Sequence, residues 1–223
     1  MSESSKRANA DPQPGMASRQ DHSDTRREIQ RLVTLAVPPL RHALLESLEL
    51  WRRVRGARQV VELFYQADDP YSELALQAVA ELQPRYDVDF RFHLVGSADR
   101  LHAPEPEMLA DHARRDCGLV APHYGLDLPT DAKRPDPRAV RAVEALLAGL
   151  TADARFLPVA LEAGRALWSG DREALTQLAA RIPSAGDPEV TRALEAGNRL
   201  RRQRGHYSGA MFWLSGEWYW GVD

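Results

Sequence analysis

The sequence predicts an α/β fold in which a strand–helix–strand unit and a closing β-hairpin share one sheet, with a long all-helical stretch inserted between them. Three observations predict it. Val60 to Tyr65 is an almost continuously apolar, β-rich run, as in a strand buried on both faces. Val88 to Leu94 alternates apolar and polar residues. Near the end of the chain, Phe212 to Leu214 and Trp218 to Trp220 flank the turn pair Ser215-Gly216.

With 223 residues the chain can bury a full core as one domain, or as one domain with a large insertion. Hydrophobic residues make up 43% of it and charged residues 27%, and the formal net charge is −3. That balance gives no electrostatic reason to expect nucleic acid or an anionic membrane as a partner. No apolar run approaches the roughly 18 residues of a membrane span, and the N-terminus lacks the apolar stretch of a secretory signal. The single cysteine, Cys117, rules out an intrachain disulfide. The cytoplasm is the expected compartment.

Residues 1–24 are rich in Ser, Asp, Gln and Pro and are expected to form a disordered tail. Residues 25–57 read as a helical arm. Thr25-Arg26-Arg27-Glu28 has capping-box spacing, and Ile29, Leu32, Val33, Ala36 and Val37 follow as a helical apolar stripe. Pro38-Pro39 breaks or kinks that helix, because neither residue can donate a backbone hydrogen. A second helix carries Leu40, Leu44, Leu48 and Trp51 to a stop at Gly56. The arm is amphipathic, so it has a face to dock.

The sheet unit is expected over 58–95 and again over 205–223. After the first strand, Asp69 suits an N-cap and Pro70 the first helical position. Leu74, Ala75, Ala78, Val79 and Leu82 give that helix an apolar face. In the second strand Val88, Phe90, Phe92 and Leu94 face one way, and Asp89, Arg91 and His93 the other. Residues 96–204 form the inserted helical domain. Its helices are expected over Glu105–Cys117, Pro137–Leu150, Arg155–Ser169, Arg172–Arg181 and Pro188–Arg204, with starts at Asp136-Pro137 and Asp187-Pro188.

Within the insertion the chemical signals are weak. Cys117 shares the apolar side of its helix with Leu109 and Ala113 and reads as a small buried hydrophobe. His112 and His123 read as surface residues, so no metal is expected. Arg199, Arg201, Arg202 and Arg204 suit a helix C-terminus and read as a solvated face. Alternation sends about half of Trp213, Trp218, Tyr219 and Trp220 into the core. There is no glycine-rich phosphate loop and no nucleophile elbow.

Two segments, Asp69-Pro70-Tyr71-Ser72 and Gly205 to Asp223, resemble the DsbA-like branch of the thioredoxin superfamily. Within it they are most similar to kappa-class glutathione transferases and 2-hydroxychromene-2-carboxylate isomerases. There the first strand ends in Ser-Pro-Tyr-Ser. The family's last hairpin aligns without gaps on Gly205 to Asp223, including Phe212, Gly216-Glu217, Trp220-Gly221 and Asp223. The resemblance implies an α/β, thioredoxin-like fold with a large all-helical insertion domain. It places Asp69 and Ser72 at the catalytic positions. Tyr71, Gly209, Ala210 and Asp223 fall where relatives bind glutathione, Asp223 matching the acidic residue they use on the γ-glutamyl amine.

Three departures alter what the resemblance implies. Asp69 stands where disulfide oxidoreductases place a cysteine and glutathione-using relatives a serine. Chemistry there relies on helix N-terminal amides that stabilise a thiolate; a carboxylate takes those amides for itself and repels the sulfur anion. Ala210 replaces the family's cis-proline, and a cis bond before a non-proline residue costs roughly 2.5–4 kcal/mol, so Gly209-Ala210 is expected to be trans. Relatives also continue past the equivalent of Asp223 into a helix covering the sheet; here either the chain is a truncated product, or the Thr25–Arg55 arm, a second copy in a homodimer or a partner chain covers that face.

Two functions follow as expectations. One is a degenerate, non-redox member that binds a small molecule, thiol or peptide in the cleft between sheet and insertion. The other is a glutathione-dependent isomerase or transferase, with Asp69 as a base of raised pKa and Ser72 or Tyr71 orienting the thiol. Glutathione is the only cofactor the resemblance implies.

Overall fold

The computed structural model describes residues 46, 47, 50–52 and 54–222. Two compact units divide the chain, Met1–Arg55 and Gly56–Asp223. In the first, the described residues from 46 to 54 are helical, and Arg55 stacks on Trp51 with its guanidinium carbon 3.6 Å from the ring centroid. The expected tail, the first arm helix and the Pro38-Pro39 break lie outside the described residues, as do Leu40, Leu44, Leu48 and Asp223.

In the second unit β1 (Gln59–Tyr65) leads through α1 (Pro70–Leu82) to β2 (Val88–Leu94). Then come α2 (Pro106–Val120), a short 3-10 turn (Ala121–Tyr124), α3 (Pro137–Ala148), α4 (Phe156–Ser169), α5 (Arg172–Arg181) and α6 (Asp187–Gln203). The hairpin β3 (Met211–Leu214) and β4 (Glu217–Trp220) closes the sheet. Its strand order is β2-β1-β3-β4, with β1 parallel to β2 and antiparallel to β3. In β1 the last three residues, Leu63, Phe64 and Tyr65, have no exposed surface. Ser215 and Gly216 both take positive φ, 50° and 86°, as a two-residue hairpin turn that matches strand twist requires.

The helix starts follow from their caps. The side chains of Asp69, Asp136 and Asp171 accept from first-turn amides of α1, α3 and α5. α1 buries more than one stripe: Ala75, Leu76 and Val79 join the main core with Leu63, Tyr65, Phe92 and Phe156, while Leu74 joins a second cluster with Cys117, Leu128 and Trp168. Leu82, assigned by spacing to the apolar face, is exposed at the helix end. Gly197 lets α6 lie directly on β2, since a Cβ there would sit 2.0 Å from the Leu94 carbonyl oxygen.

The structure departs from two expectations, about the arginines of α6 and the aromatics of the hairpin. Arg201 is buried and Arg204 partly so, because α6 packs its last turns on the sheet end; only Arg199 and Arg202 are on an exposed face. Arg204 donates to both oxygens of Glu62, at 2.8 and 2.9 Å, and His93 Nε2 lies 2.7 Å from the same carboxylate. Burial works to raise the Glu62 pKa, but these partners outweigh it and hold it low. None of the four hairpin aromatics enters the core. Trp213 and Trp218 are half-buried, packing beside Arg204 and Phe64, while Tyr219 and Trp220 lie exposed on the edge strand β4. Three of the four, Trp218, Tyr219 and Trp220, lie on β4, an edge strand with a neighbour on one side only.

Candidate functional site at the start of the first helix

The site forms where β1 runs into α1 opposite the segment that enters β3. Asp69 is the N-cap of α1: Oδ1 accepts from Tyr71 N at 3.3 Å, and Oδ2 from Ser72 N at 3.2 Å and Ser72 Oγ at 2.8 Å. Pro70, with no amide hydrogen to satisfy, takes the first helical position. The Ser72 hydroxyl is fully buried and fully used. It donates to Asp69 and accepts from Gln66 N at 3.1 Å and from Ala210 N at 3.0 Å. One hydroxyl thus ties together the end of β1, the start of α1 and the approach to β3.

Burial pushes the Asp69 carboxyl up to about 6, against the pull of the Ser72 hydroxyl and the first-turn amides; Asp68 adds to the rise. Gly209 is buried against the same carboxylate, and a Cβ there would lie 2.9 Å from Gln66 Cβ and 3.0 Å from Asp69 Oδ2. The Gly209-Ala210 bond is trans, and Ala210 carries a φ of 51°. For a residue with a Cβ this left-handed conformation costs roughly 1–2 kcal/mol. Ala210 is held there by the hydrogen bond its amide donates to Ser72 Oγ and by Gly221 N, which donates to its carbonyl at 2.8 Å. Tyr71 donates its hydroxyl to Asp116 Oδ2 on α2, so it ties the first turn of α1 to the insertion.

Five of the six residues singled out from the sequence therefore meet in one place: Asp69, Tyr71, Ser72, Gly209 and Ala210. Asp223 lies outside the described residues. Sequence reasoning passed over Gln66, whose side chain bridges Asp68 Oδ1 at 2.9 Å and Ser97 Oγ at 3.2 Å; its position directly after the strand was the only signal. It also passed over the burial of Arg201, which donates to Gly96 O at 3.0 Å and Asn198 Oδ1 at 2.9 Å. Burial lowers the Arg201 pKa to about 10, with Arg202 contributing. Among the described residues no cluster of His, Cys, Asp or Glu is arranged to hold a metal ion, and no helix is long and apolar enough to cross a membrane. Cys117 is buried in the second cluster.

Comparison with solved structures identifies the architecture. A 2-hydroxychromene-2-carboxylate isomerase superposes with a TM-score of 0.51 at 18% identity, covering 73% of this chain and 88% of its own. A probable DsbA oxidoreductase from Streptomyces coelicolor gives 0.51 at 18%, covering 74% and 85%. No protein-family model matches the sequence, and no curated protein matches it at a significant level. The chain has the α/β, thioredoxin-like fold with a helical insertion that these two structures share.

Proposed function

We propose that this chain is a non-redox thioredoxin-fold protein that works by binding a small molecule, thiol or peptide in the cleft beside Asp69. The observation that carries this reading is the closed set of hydrogen bonds around Ser72. The hydroxyl nearest the nucleophile position has one donor and two acceptor interactions, all within the protein. The first-turn amides that would stabilise a thiolate are taken by the Asp69 carboxylate. The fold relatives include an oxidoreductase and an isomerase, so loss of thiol chemistry would be a change of use on a shared scaffold. Isothermal titration with glutathione and with extended peptides, beside an insulin-reduction assay, tests the reading. Binding without thiol turnover is expected; robust turnover would overturn it.

One observation favours a second reading, a glutathione-dependent isomerase or transferase. Burial pushes the Asp69 carboxyl up to about 6, within range for a general base at neutral pH. Under it, Asp69→Asn abolishes turnover of aromatic electrophiles and Asp223→Ala weakens glutathione binding. A chain with no measurable affinity for glutathione excludes it.

A further inference from the structure

On one side the sheet ends at β2, and this edge is long and open. β2 pairs with β1 over Val88–Leu94 in an unbroken parallel register, without a bulge. Among the described residues its backbone bonds to β1 alone, so the outward-facing amides and carbonyls of the strand have no partner. A groove of about 600 Å³ runs along it, with residues 151–154 and Leu157 as its other wall. All of residues 88–93 line this groove. Successive side chains of a strand point to opposite faces, so a groove that meets all six follows the strand's edge. None of its lining residues belongs to the Asp69 site.

The strand lacks three common guards of an open edge, proline, lysine and a bulge. Its two acid–base charges select the occupant. Antiparallel pairing with the β2 of a second copy, centred on Phe90, sets Asp89 opposite Arg91 at two symmetry-related places. Val88 then lies opposite Phe92 and Phe90 opposite itself, so the apolar row continues across the axis. Neighbouring registers fail. Moving the centre to Asp89 or to Arg91 sets that charge against itself, and a slip of one residue sets the apolar row against the charged row. Arg91 is exposed and makes no ion pair or hydrogen bond among the described residues. Asp89 meets Arg58 at 2.8 Å yet keeps half of its side chain exposed. The other edge strand, β4, has four residues and one charge, Glu217, and so no such self-match. We propose that two copies of this chain associate through their β2 edges, antiparallel and centred on Phe90, which joins their four-stranded sheets into one.

Sedimentation equilibrium of the full chain from about 1 μM to about 1 mM should show a reversible monomer–dimer equilibrium. Asp89→Arg and Arg91→Asp each set like charges opposite one another twice, so each variant alone should associate about tenfold more weakly or worse. Mixing the two variants puts opposite charges back at both contacts, and a heterodimer of near wild-type affinity should form. Its formation also shows that both variants keep β2 intact. Hydrogen exchange of the wild type needs no variant: amides of β2 should gain protection as concentration rises, and those of β4 should not. A chain that stays monomeric throughout, a dimer untouched by either substitution, a mixture no tighter than its parts, or β2 amides indifferent to concentration would overturn the proposal.

Discussion

Replacing Asp69 by Asn keeps a side-chain acceptor for the first turn of α1 but removes the charge. Asn caps helices about as well as Asp, so the two proteins should be nearly equal in stability where the native carboxyl is protonated. The folded protein raises the Asp69 pKa from 3.8 to about 6. A group raised in the folded state contributes stability below its unfolded pKa and loses it as pH rises through the folded one. The displacement corresponds to roughly 3 kcal/mol, and the partial exposure of the carboxylate reduces this to about 1–2 kcal/mol. Asp69→Asn should therefore gain on the wild type between about pH 4 and about pH 6 and hold a level advantage above about pH 7. In a domain of this size that is roughly 2–8 °C in Tm at neutral pH. Urea denaturation of both proteins across that range measures the difference, in which the other titrating groups cancel. A flat difference, or a mutant weaker at neutral pH than at acid pH, would show that the ionised cap stabilises the fold and that burial does not govern this residue.

Other substitutions separate structure from chemistry. Ser72→Ala strands the amides of Gln66 and Ala210 and should cost roughly 2–4 kcal/mol by urea denaturation; a loss below about 1 kcal/mol would mean that water replaces the hydroxyl. Gly197→Ala forces α6 off the Leu94 carbonyl, with no flexible side chain to give way, and should cost about 3 kcal/mol or more. Ala210→Pro should destabilise by about 3 kcal/mol or more and confer no insulin reduction. Proline cannot adopt the φ of 51° at this position and cannot donate to Ser72.

Much of the fold was legible because its signals are local. The caps at Asp69 and Asp136, the turn at Ser215-Gly216 and the alternation of β2 each act within a few residues, and these elements are found where they were expected. The Asp69 constellation was legible because the resemblance linked two distant segments. What escaped depends on partners far apart in the chain. Arg204 reads as one charge among several until Glu62, 142 residues away, is placed beside it. Glu73 reads as an ordinary first-turn acid, and only the packing of α1 on Gly164 of α4 shows that it is buried. Gly164 and Gly197 look like weak points inside helices, yet each marks a close approach that no periodicity encodes.

Under the non-redox reading, a substitution at Asp69 alone would not create a thiol site. Burial pushes the Asp69 carboxyl up to about 6, and its two oxygens accept from two amides and one hydroxyl. A serine or cysteine at position 69 would free those amides, but the Ser72 hydroxyl would still be held by Gln66 and Ala210. The segment entering β3 would still follow the path set by Ala210, with its amide turned toward Ser72 instead of toward a ligand backbone. Positions 69 and 210 are therefore coupled through Ser72. Substitutions at 69 and 210 should be non-additive in ligand binding and stability, as residues sharing one hydrogen-bond network are.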